Sequence, residues 1–181
     1  MRVVILFGLP GVGKLTVAKE LARLSPYRVF HNHLVFDAVE ALFPFGSAPF
    51  IELRERLWLE LLSRSVRERV GNVIFTIARD QSLHADFLLT LESALGELGA
   101  RVSCIGLSCS VAELEQRLAS ADRARFGKVN SVERFHQLSQ TGAFPPFQSP
   151  ANAIMIDTTG LSATETAAAV DAKVRREQSA P

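Results

Sequence analysis

The sequence of 181 residues has little cysteine and lysine, one tryptophan and one tyrosine. Its two cysteines, Cys104 and Cys109, are too few for a disulfide-stapled scaffold. The early apolar run Val3–Leu9 is far shorter than the roughly 20 residues of a membrane-spanning helix, and no small-residue cleavage site follows it. The formal net charge of +1 argues against a nucleic-acid or membrane partner. We therefore expect one soluble domain over residues 1–181, located in the cytoplasm.

Arginine makes up most of the positive charge. Of the 20 basic side chains, counted along the sequence, 16 are arginines and 4 are lysines, against 19 acidic side chains. The planar guanidinium group binds carboxylate and phosphate groups through paired hydrogen bonds. The excess therefore predicts that several arginines face phosphate or an anionic ligand.

Strand-like and helix-like patterns alternate along the chain. Apolar, β-branched runs predict strands at 2–7, 28–31, 72–78, 101–107 and 153–157. Spacings of three and four residues between apolar positions predict helices at 14–24, 33–43, 50–70, 82–98, 110–121 and 162–176. This order predicts an α/β fold with a parallel sheet covered by helices on both faces.

Three segments fall outside this alternation. Phe43–Phe50 is rich in proline and glycine, and Asp122–Ser149 is first rich in arginine and then in proline. Neither segment is long enough to separate two cores, so both are interpreted as mobile or binding insertions. The tail Glu177–Pro181 is expected to fray.

The strongest motif lies between the first strand and the first helix. Residues 8–16 read GLPGVGKLT and match the G-x-x-x-x-G-K core of a phosphate-binding loop. Glycines let backbone N–H groups converge on phosphate oxygens, and the helix that follows adds its positive dipole end. The alternative is a chance glycine-rich turn. The motif predicts a nucleotide-phosphate site formed by Gly8, Gly11, Val12, Gly13, Lys14, Leu15 and Thr16.

One position in this loop departs from the general motif. Leu15 stands where a serine or threonine usually holds Mg²⁺. The form G-x-P-G-x-G-K-x-T resembles the loop of nucleoside monophosphate kinases such as adenylate kinase. The resemblance implies ATP and Mg²⁺ as cofactors, with Thr16 bonded to the α-phosphate. It also implies that phosphates and water hold most of the Mg²⁺ coordination shell.

Polar side chains follow the second predicted strand. His31, His33 and Asp37 lie where shikimate kinase, gluconate kinase and chloramphenicol phosphotransferase carry acids on the acceptor side. The resemblance implies that Asp37, with His33 or His31 as the second choice, receives the acceptor proton. Two alternatives stay open. Asp37 is also what the first turn of a helix favours, and a His-x-His pair is able to chelate zinc.

Two further sets of residues are candidates for the acceptor side. Arg54 and Arg56 would bind an anionic acceptor, or else pair with neighbouring glutamates on a solvated helix face. Arg79 and Asp80 follow the third strand, at the sheet edge where ligands bind in open α/β folds. They resemble, in reverse order, an Asp and an acceptor-binding Arg of nucleoside monophosphate kinases. Asp80 is a candidate to orient Mg²⁺-bound water, or else it caps the helix 82–98.

Arginines gather again after the fourth strand. Arg117, Arg123 and Arg125 resemble the lid of nucleoside monophosphate and shikimate-type kinases, with the lid at about 121–131. The resemblance implies that Arg123 and Arg125 stabilise the transferring phosphoryl group and that Arg117 lies near the adenine. The alternative is a basic surface turn. The loop Asp157–Ser162, including Thr159, would contact the adenine in the same comparison, whereas Arg134 is interpreted as structural.

Together these motifs resemble the P-loop small-molecule kinases. The resemblance implies a three-layer sandwich with strand order 2-3-1-4-5, and acceptor-binding helices at about 33–70. Two features depart from it: shikimate kinase's Gly-Gly-Gly motif is absent, and the segment His31–His33 fits none of the named subfamilies. The predicted function is ATP-dependent phosphoryl transfer to a hydroxyl or phosphate of a small, anionic molecule. Two alternatives stay open, a nucleotide-binding regulator with slow ATP hydrolysis and a nucleic-acid-modifying kinase.

Overall fold

The computed structural model describes residues 1–78, 80–119, 131–145 and 148–179. Within these residues, strands and helices alternate along the chain, as the sequence predicts. The strands are β1 Arg2–Gly8, β2 Tyr27–His31, β3 Asn72–Ala78, β4 Arg101–Ser108 and β5 Ile154–Asp157. The helices are α1 Lys14–Leu24, α2 His33–Glu40, α3 Ala48–Arg67, α4 Phe87–Glu97, α5 Val111–Ala119, α6 Val132–Gln140 and α7 Ala163–Ser179. No helix in the described part of the chain is long and apolar enough to span a membrane.

The five strands form one parallel sheet in the order β2-β3-β1-β4-β5, which confirms the predicted fold class. Gly8 pairs with Ala78, so β1 and β3 end side by side. His31 pairs with Thr76, so β2 ends at the same edge. Because every strand runs in the same direction, the segments that follow β1, β2 and β3 emerge together.

Two hydrophobic cores cover the two faces of the sheet. Successive side chains of a strand point to opposite faces, so Ile5 of β1 belongs to one core and Leu6 to the other. The first core packs against α3 and α4, where Trp58 is 1% exposed. The second packs against α1, α5 and α7. Burial on both faces explains why β1 is apolar throughout instead of alternating.

The predicted start of α4 at Ser82 is wrong, because α4 begins at Phe87. The backbone N–H groups ahead of it donate to groups far along the chain instead of to carbonyls of the first helical turn. The N–H of Gln81 donates to the Ala143 carbonyl at 2.8 Å, and that of His84 donates to Glu55 Oε1 at 2.8 Å. The alternative that Asp80 caps this helix is therefore also wrong.

The segment interpreted as the insertion 122–149 contains a helix that the sequence analysis missed. Ser131 caps α6 by accepting a hydrogen bond from the Arg134 N–H at 3.1 Å. Phe135 is the one apolar side chain that α6 buries, and its ring stacks on Phe144 at 5.4 Å. One buried position in a nine-residue helix leaves no periodic pattern to detect. At the other end of the chain, α7 extends to Ser179.

Candidate functional site

A cleft of about 930 Å³ opens at the carboxyl edge of the sheet. It lies where the phosphate-loop motif, the start of α2 and the end of β3 come together. One face of α5, the start of α7 and the region of α6 complete its walls. Of the predicted site residues, those that line it are Gly11, Val12, Gly13, Lys14, Leu15, Thr16, His33, Asp80 and Arg117.

The glycines of the loop have backbone conformations that other residues rarely adopt. Gly8, Gly11 and Gly13 have φ angles of 144°, 103° and 95°. A Cβ atom at Gly8 would lie 2.3 Å from the Leu107 carbonyl oxygen. The loop can therefore leave β1 close against β4 only with glycine here. The curled backbone and the N-terminus of α1 that follows fit the phosphate groups of a nucleotide.

Lys14 lies at the floor of this loop. Its side chain is buried, and Nζ donates hydrogen bonds to the carbonyl oxygens of Gly8 at 3.0 Å and Leu9 at 2.8 Å. These bonds hold the ammonium group under the loop, while Lys14 still lines the cleft. The position places a positive charge where phosphate oxygens would meet the backbone N–H groups.

Arg117 connects three parts of the site. Arg117 lies on α5, and its Nη1 donates hydrogen bonds to the Val12 carbonyl at 3.0 Å and to Thr158 Oγ1 at 2.9 Å. Nη2 donates to the Thr158 carbonyl at 2.8 Å. Glu113, one turn earlier, pairs with Nε at 3.0 Å. The guanidinium group thus ties the phosphate loop to the segment between β5 and α7.

The segment between β5 and α7 contributes residues to the cleft, but the predicted Thr159 is not among them. Thr159 is exposed outside the cleft lining, where its Oγ1 accepts from the Ser110 N–H at 2.8 Å and donates to Asp157 at 2.7 Å. This bond and one from the Thr159 N–H lower the pKa of Asp157. Leu161, Ala163 and Thr166 line the cleft instead.

The acceptor-side candidates on β2 and α2 separate into inner and outer positions. His33 lines the cleft, whereas Asp37 is 72% exposed and pairs with His33 Nδ1 from behind at 3.5 Å. His31 Nδ1 is buried with no hydrogen-bond partner in the described part of the chain. Burial lowers the pKa of His31, and the charges of His33 and Lys19 lower it further.

Arg54 is not on the cleft surface, because it is 1% exposed inside the core beside Phe50 and Trp58. Its guanidinium carbon lies 4.8 Å from each of these two ring centres. Nη1 donates to Ser82 Oγ at 3.0 Å, and Nη2 donates to the Ser82 carbonyl. Burial lowers the pKa of Arg54, while Asp80 opposes that change.

Ser82 links Arg54 to Asp80 through hydrogen bonds to both side chains. The Ser82 N–H donates to Asp80 Oδ1 at 2.8 Å, and the Ser82 hydroxyl donates to the same oxygen. Asp80 lines the cleft just beyond the end of β3. A buried arginine of α3 therefore helps to set the geometry of Asp80, the carboxylate of the β3–α4 connection that lines the cleft.

The remaining candidates lie outside the cleft or outside the described residues. Arg56 is exposed on the solvent side of α3 and does not line the cleft. Arg79, Arg123 and Arg125, and the predicted lid except Ser131, lie outside the described residues. Among the residues that are described, no group of three His, Cys, Asp or Glu side chains could hold a metal ion. Within that part of the chain, His31 and His33 thus have no third side chain of these types to complete a metal site.

The donor set fits Mg²⁺ held largely by phosphate and water. Mg²⁺ usually keeps several waters and takes one or two carboxylates in phosphoryl-transfer sites. Asp80 places a carboxylate in the cleft lining, where it could act as a Mg²⁺ ligand. The side chain of Leu15, in contrast, has no oxygen atom that could bind the ion. This agrees with the departure of the loop from the general motif.

Several cleft residues were not identified from the sequence. Phe36, Phe45 and Lys19 line the cleft on the acceptor side, and Glu113 and Gln116 line it from α5. Phe45 lies in Phe43–Phe50, the proline- and glycine-rich segment predicted to be a mobile or binding insertion, and that composition is the sequence signal for it. Arg134, interpreted as structural, also lines the cleft.

Solved structures, kinases among them, resemble this chain over nearly its whole length. The tunicamycin resistance protein of Deinococcus radiodurans is 23% identical, with a TM-score of 0.61 and 96% of each chain covered. The APS kinase of Mycobacterium tuberculosis, in complex with AMPPNP and APS, is 19% identical, with a TM-score of 0.62, and the match covers 96% of this chain and 97% of the kinase. A gluconokinase from Sinorhizobium meliloti is 12% identical, with a TM-score of 0.59 and coverages of 99% and 98%. No family model and no curated sequence matches the chain.

Proposed function

We propose that this chain, whose fold is that of the P-loop small-molecule kinases, transfers the γ-phosphoryl group of ATP to a small-molecule hydroxyl. The observation that carries the proposal is that one cleft joins the glycine loop, the buried Lys14, His33 and Asp80. A phosphate cradle alone would serve a nucleotide-binding regulator. A cradle that opens onto a base and a carboxylate supports group transfer.

The loop end of the cleft would bind the nucleotide. The N–H groups around Gly11 and Gly13 and the Lys14 ammonium would bind phosphate oxygens. Arg117 stabilises the loop through the Val12 carbonyl and so preorganises this end. Mg²⁺ would neutralise the charge on the phosphates. Asp80 is the candidate carboxylate that would bind the ion or orient its water ligands.

The other end of the cleft would position the acceptor hydroxyl. Asp37 pairs with His33 Nδ1, which leaves Nε2 as the ring nitrogen for a ligand. His33 would accept the hydroxyl proton as the oxygen attacks, and Asp37 would hold the ring in the matching tautomer. Asp37 thus keeps a role in the proposed mechanism, but as a positioning residue behind His33.

Incubation of the protein with ATP labelled at the γ-phosphate and a set of alcohols tests the proposal. We expect label to appear on an alcohol with the wild-type protein and none with Lys14→Met. His33→Gln should lower the transfer rate by about 10²–10⁴-fold, as loss of a general base does, with ATP-analogue affinity unchanged. Asp37→Asn should lower it less, and Asp86→Asn, an exposed acid outside the cleft, should not change it.

The same experiment separates a kinase from a regulator. Tight ATP-analogue binding without label transfer to any alcohol would contradict the kinase proposal and favour a nucleotide-binding regulator. Transfer that is equally fast in His33→Gln would keep the kinase and reject His33 as its base.

A further inference from the structure

The acceptor end of the cleft combines ring-bearing and polar side chains. We use this name for the part formed by the start of α2, the turn before α3 and the segment after β3. Six of its lining side chains belong to Asn32, His33, Phe36, Phe45, Asp80 and Gln81. Half of these six carry rings, and Asp80 is the only carboxylate among them. This composition restricts the chemistry of the molecule that it would bind.

His33, Phe36 and Phe45 form a continuous surface, which we call the ring face. The centres of the Phe36 and Phe45 rings lie 6.0 Å apart, and those of Phe36 and His33 lie 5.4 Å apart. Phe50 supports both phenylalanines from the core, with its ring centre 5.3 Å from Phe36 and 5.4 Å from Phe45. Edge-on contacts of this kind fix ring orientation. The ring face is therefore preorganised.

A tight turn presents Phe45 to the cleft. The Ser47 N–H and hydroxyl both donate to the Pro44 carbonyl, at 3.1 Å and 2.7 Å. Gly46 supplies the positive φ of 77° that the third position of such a turn requires. Phe45 is the second residue of the turn and remains 40% exposed. The turn thus holds an apolar ring at the cleft surface, where a bound molecule would cover it.

A further aromatic side chain lines the cleft from the region of α6. Phe144 stacks on the buried Phe135 with ring centres 5.4 Å apart. The Gln81 N–H donates to the Ala143 carbonyl at 2.8 Å and so ties this segment to the residues that follow β3. Ring surface therefore reaches the cleft from two separate elements of the fold.

Among the described residues, the charges around the ring face are mixed in sign and do not form a site for a small polyanion. The expectation of an anionic acceptor depended partly on Arg54. This side chain lies beneath the ring face, and its guanidinium group donates hydrogen bonds to Ser82. Arg56 is exposed outside the cleft. Lys19 also lines the cleft and acts electrostatically on His31, but Asp80 would repel an anion at the end of β3.

We propose that the acceptor is a neutral alcohol that carries a planar aromatic or heteroaromatic ring. The ring packs on the ring face, and the hydroxyl lies between His33 and the γ-phosphoryl group. The hydroxyl oxygen forms a bond to the γ-phosphorus, the bond from that phosphorus to the leaving oxygen of ADP breaks, and the hydroxyl proton passes to His33. This inference rests on the proposed function and specifies its substrate class.

The natural acceptor need not be known to test this inference. Pairs of compounds that differ in whether they carry a planar ring can be compared for binding. The pairs are uridine against ribose and phenyl β-glucoside against glucose, with gluconate as the anion. Affinities are measured by NMR in the presence of Mg²⁺ and a non-hydrolysable ATP analogue. We expect the ring-bearing member of at least one pair to bind about tenfold or more tightly than its partner, because aromatic packing adds to burial. The two pairs distinguish a heteroaromatic base from an aryl group.

Variants assign the preference to the ring face. Phe45→Ala should reduce the preference for the ring-bearing compound by about tenfold, and Phe45→Tyr should keep it. Leu42→Ala is the matched control, because Leu42 is 76% exposed in the same connection and lies outside the cleft lining. The affinity for the ATP analogue should be the same in all three variants.

The outcomes of this test are separate from those of the proposed function. If ring-free compounds or gluconate bind best, or if Phe45→Ala keeps the wild-type preference, the inference is overturned while the kinase proposal stands. If the wild-type protein fails to bind the ATP analogue, the proposed function fails. A ring preference that Phe45→Ala removes, without phosphoryl transfer, would support the ring face and contradict the kinase.

Discussion

Arg117 Nη1 donates a hydrogen bond to the carbonyl oxygen of Val12 at 3.0 Å, across 105 residues of sequence. The phosphate loop is thus held from outside by a side chain of α5. The same guanidinium group reaches the Thr158 carbonyl at 2.8 Å, so the loop and the β5–α7 segment share one support. The conformation of the glycine loop, the candidate phosphate site, therefore depends on helix docking as well as on its own glycines.

We expect Arg117→Ala to weaken binding of an ATP analogue by about 10- to 100-fold. Charge-assisted hydrogen bonds contribute about 1.5–3 kcal/mol each, and 1.4 kcal/mol corresponds to a factor of ten. Isothermal titration calorimetry measures the change. Arg175→Ala, which removes a surface pair with Asp171, is the control. Equal affinities for wild-type protein and Arg117→Ala would contradict the structural role of Arg117.

Gly8→Ala should destabilise the fold by about 2–4 kcal/mol, because overpacking and a strained backbone each contribute about 1–3 kcal/mol. A Cβ atom here would lie 2.3 Å from the Leu107 carbonyl, in a backbone with φ of 144°. Gly99→Ala separates the two effects, since Gly99 has φ of 82° but no atom within 4 Å of a Cβ. Urea unfolding should show the larger loss for Gly8→Ala, and equal losses would contradict the close approach.

Arg54→Met should lower the free energy of unfolding by about 2–4 kcal/mol, because it strips hydrogen bonds from Ser82 in the core. Arg54→Lys should not restore stability fully, since one ammonium group cannot replace the two-pronged contact. Arg56→Met, two residues along the same helix, should change stability by no more than about 0.5 kcal/mol. Chemical denaturation of the three variants measures these differences. A similar loss for Arg56→Met would show that the burial of Arg54 is not the cause.

The contact between His84 and Glu55 should make stability depend on pH. Glu55 Oε2 lies 2.8 Å from His84 Nδ1, and this hydrogen bond raises the pKa of His84 above its ordinary value of 6.5. A raised pKa in the folded state stabilises the fold below about pH 6.5, and this contribution is lost as pH rises through the folded-state value. Because His84 is mostly exposed, the effect should be small.

Thermal unfolding of wild-type protein and His84→Gln at several pH values measures this effect. The stability difference between the two proteins should be larger at about pH 5.5 than at about pH 8, because the contribution is lost as pH rises through the folded-state pKa of His84. Glu55→Gln should remove the same pH-dependent contribution, because it removes the carboxylate that contacts His84 Nδ1. A difference that is independent of pH would contradict the assignment to His84 and Glu55.

The sheet and the backbone conformation of the glycine loop were predictable because they depend on short stretches of sequence. The apolar run of β1 and the spacing of glycines before Lys14 are local patterns, each with few alternative structures. The start of α4 was not predictable. The N–H groups of Gln81 and His84 bond to Ala143 and Glu55, which lie far along the chain, and no local pattern carries that information.

At the acceptor end, too, the sequence did not predict which side chains are buried and which are exposed. Arg54 and Arg56 are two residues apart in an arginine- and glutamate-rich stretch, and the sequence treats them alike. On a helix with 3.6 residues per turn they point about 200° apart, and the docking of α3 buries one and exposes the other. Phe45 gains its place in the cleft from the turn Pro44–Ser47 and from its contact with Phe50.

The sequence alone thus determined the parallel α/β sheet and the glycine loop, since periodicity and glycine conformation act within a few residues. Only the tertiary structure decided which acceptor-side residues face the cleft. It placed His33 in the lining and Asp37 behind it, and it turned Arg54 from a ligand candidate into the support of Asp80 through Ser82. The physical reason is that side-chain exposure in a cleft is set by how whole elements pack across the sheet.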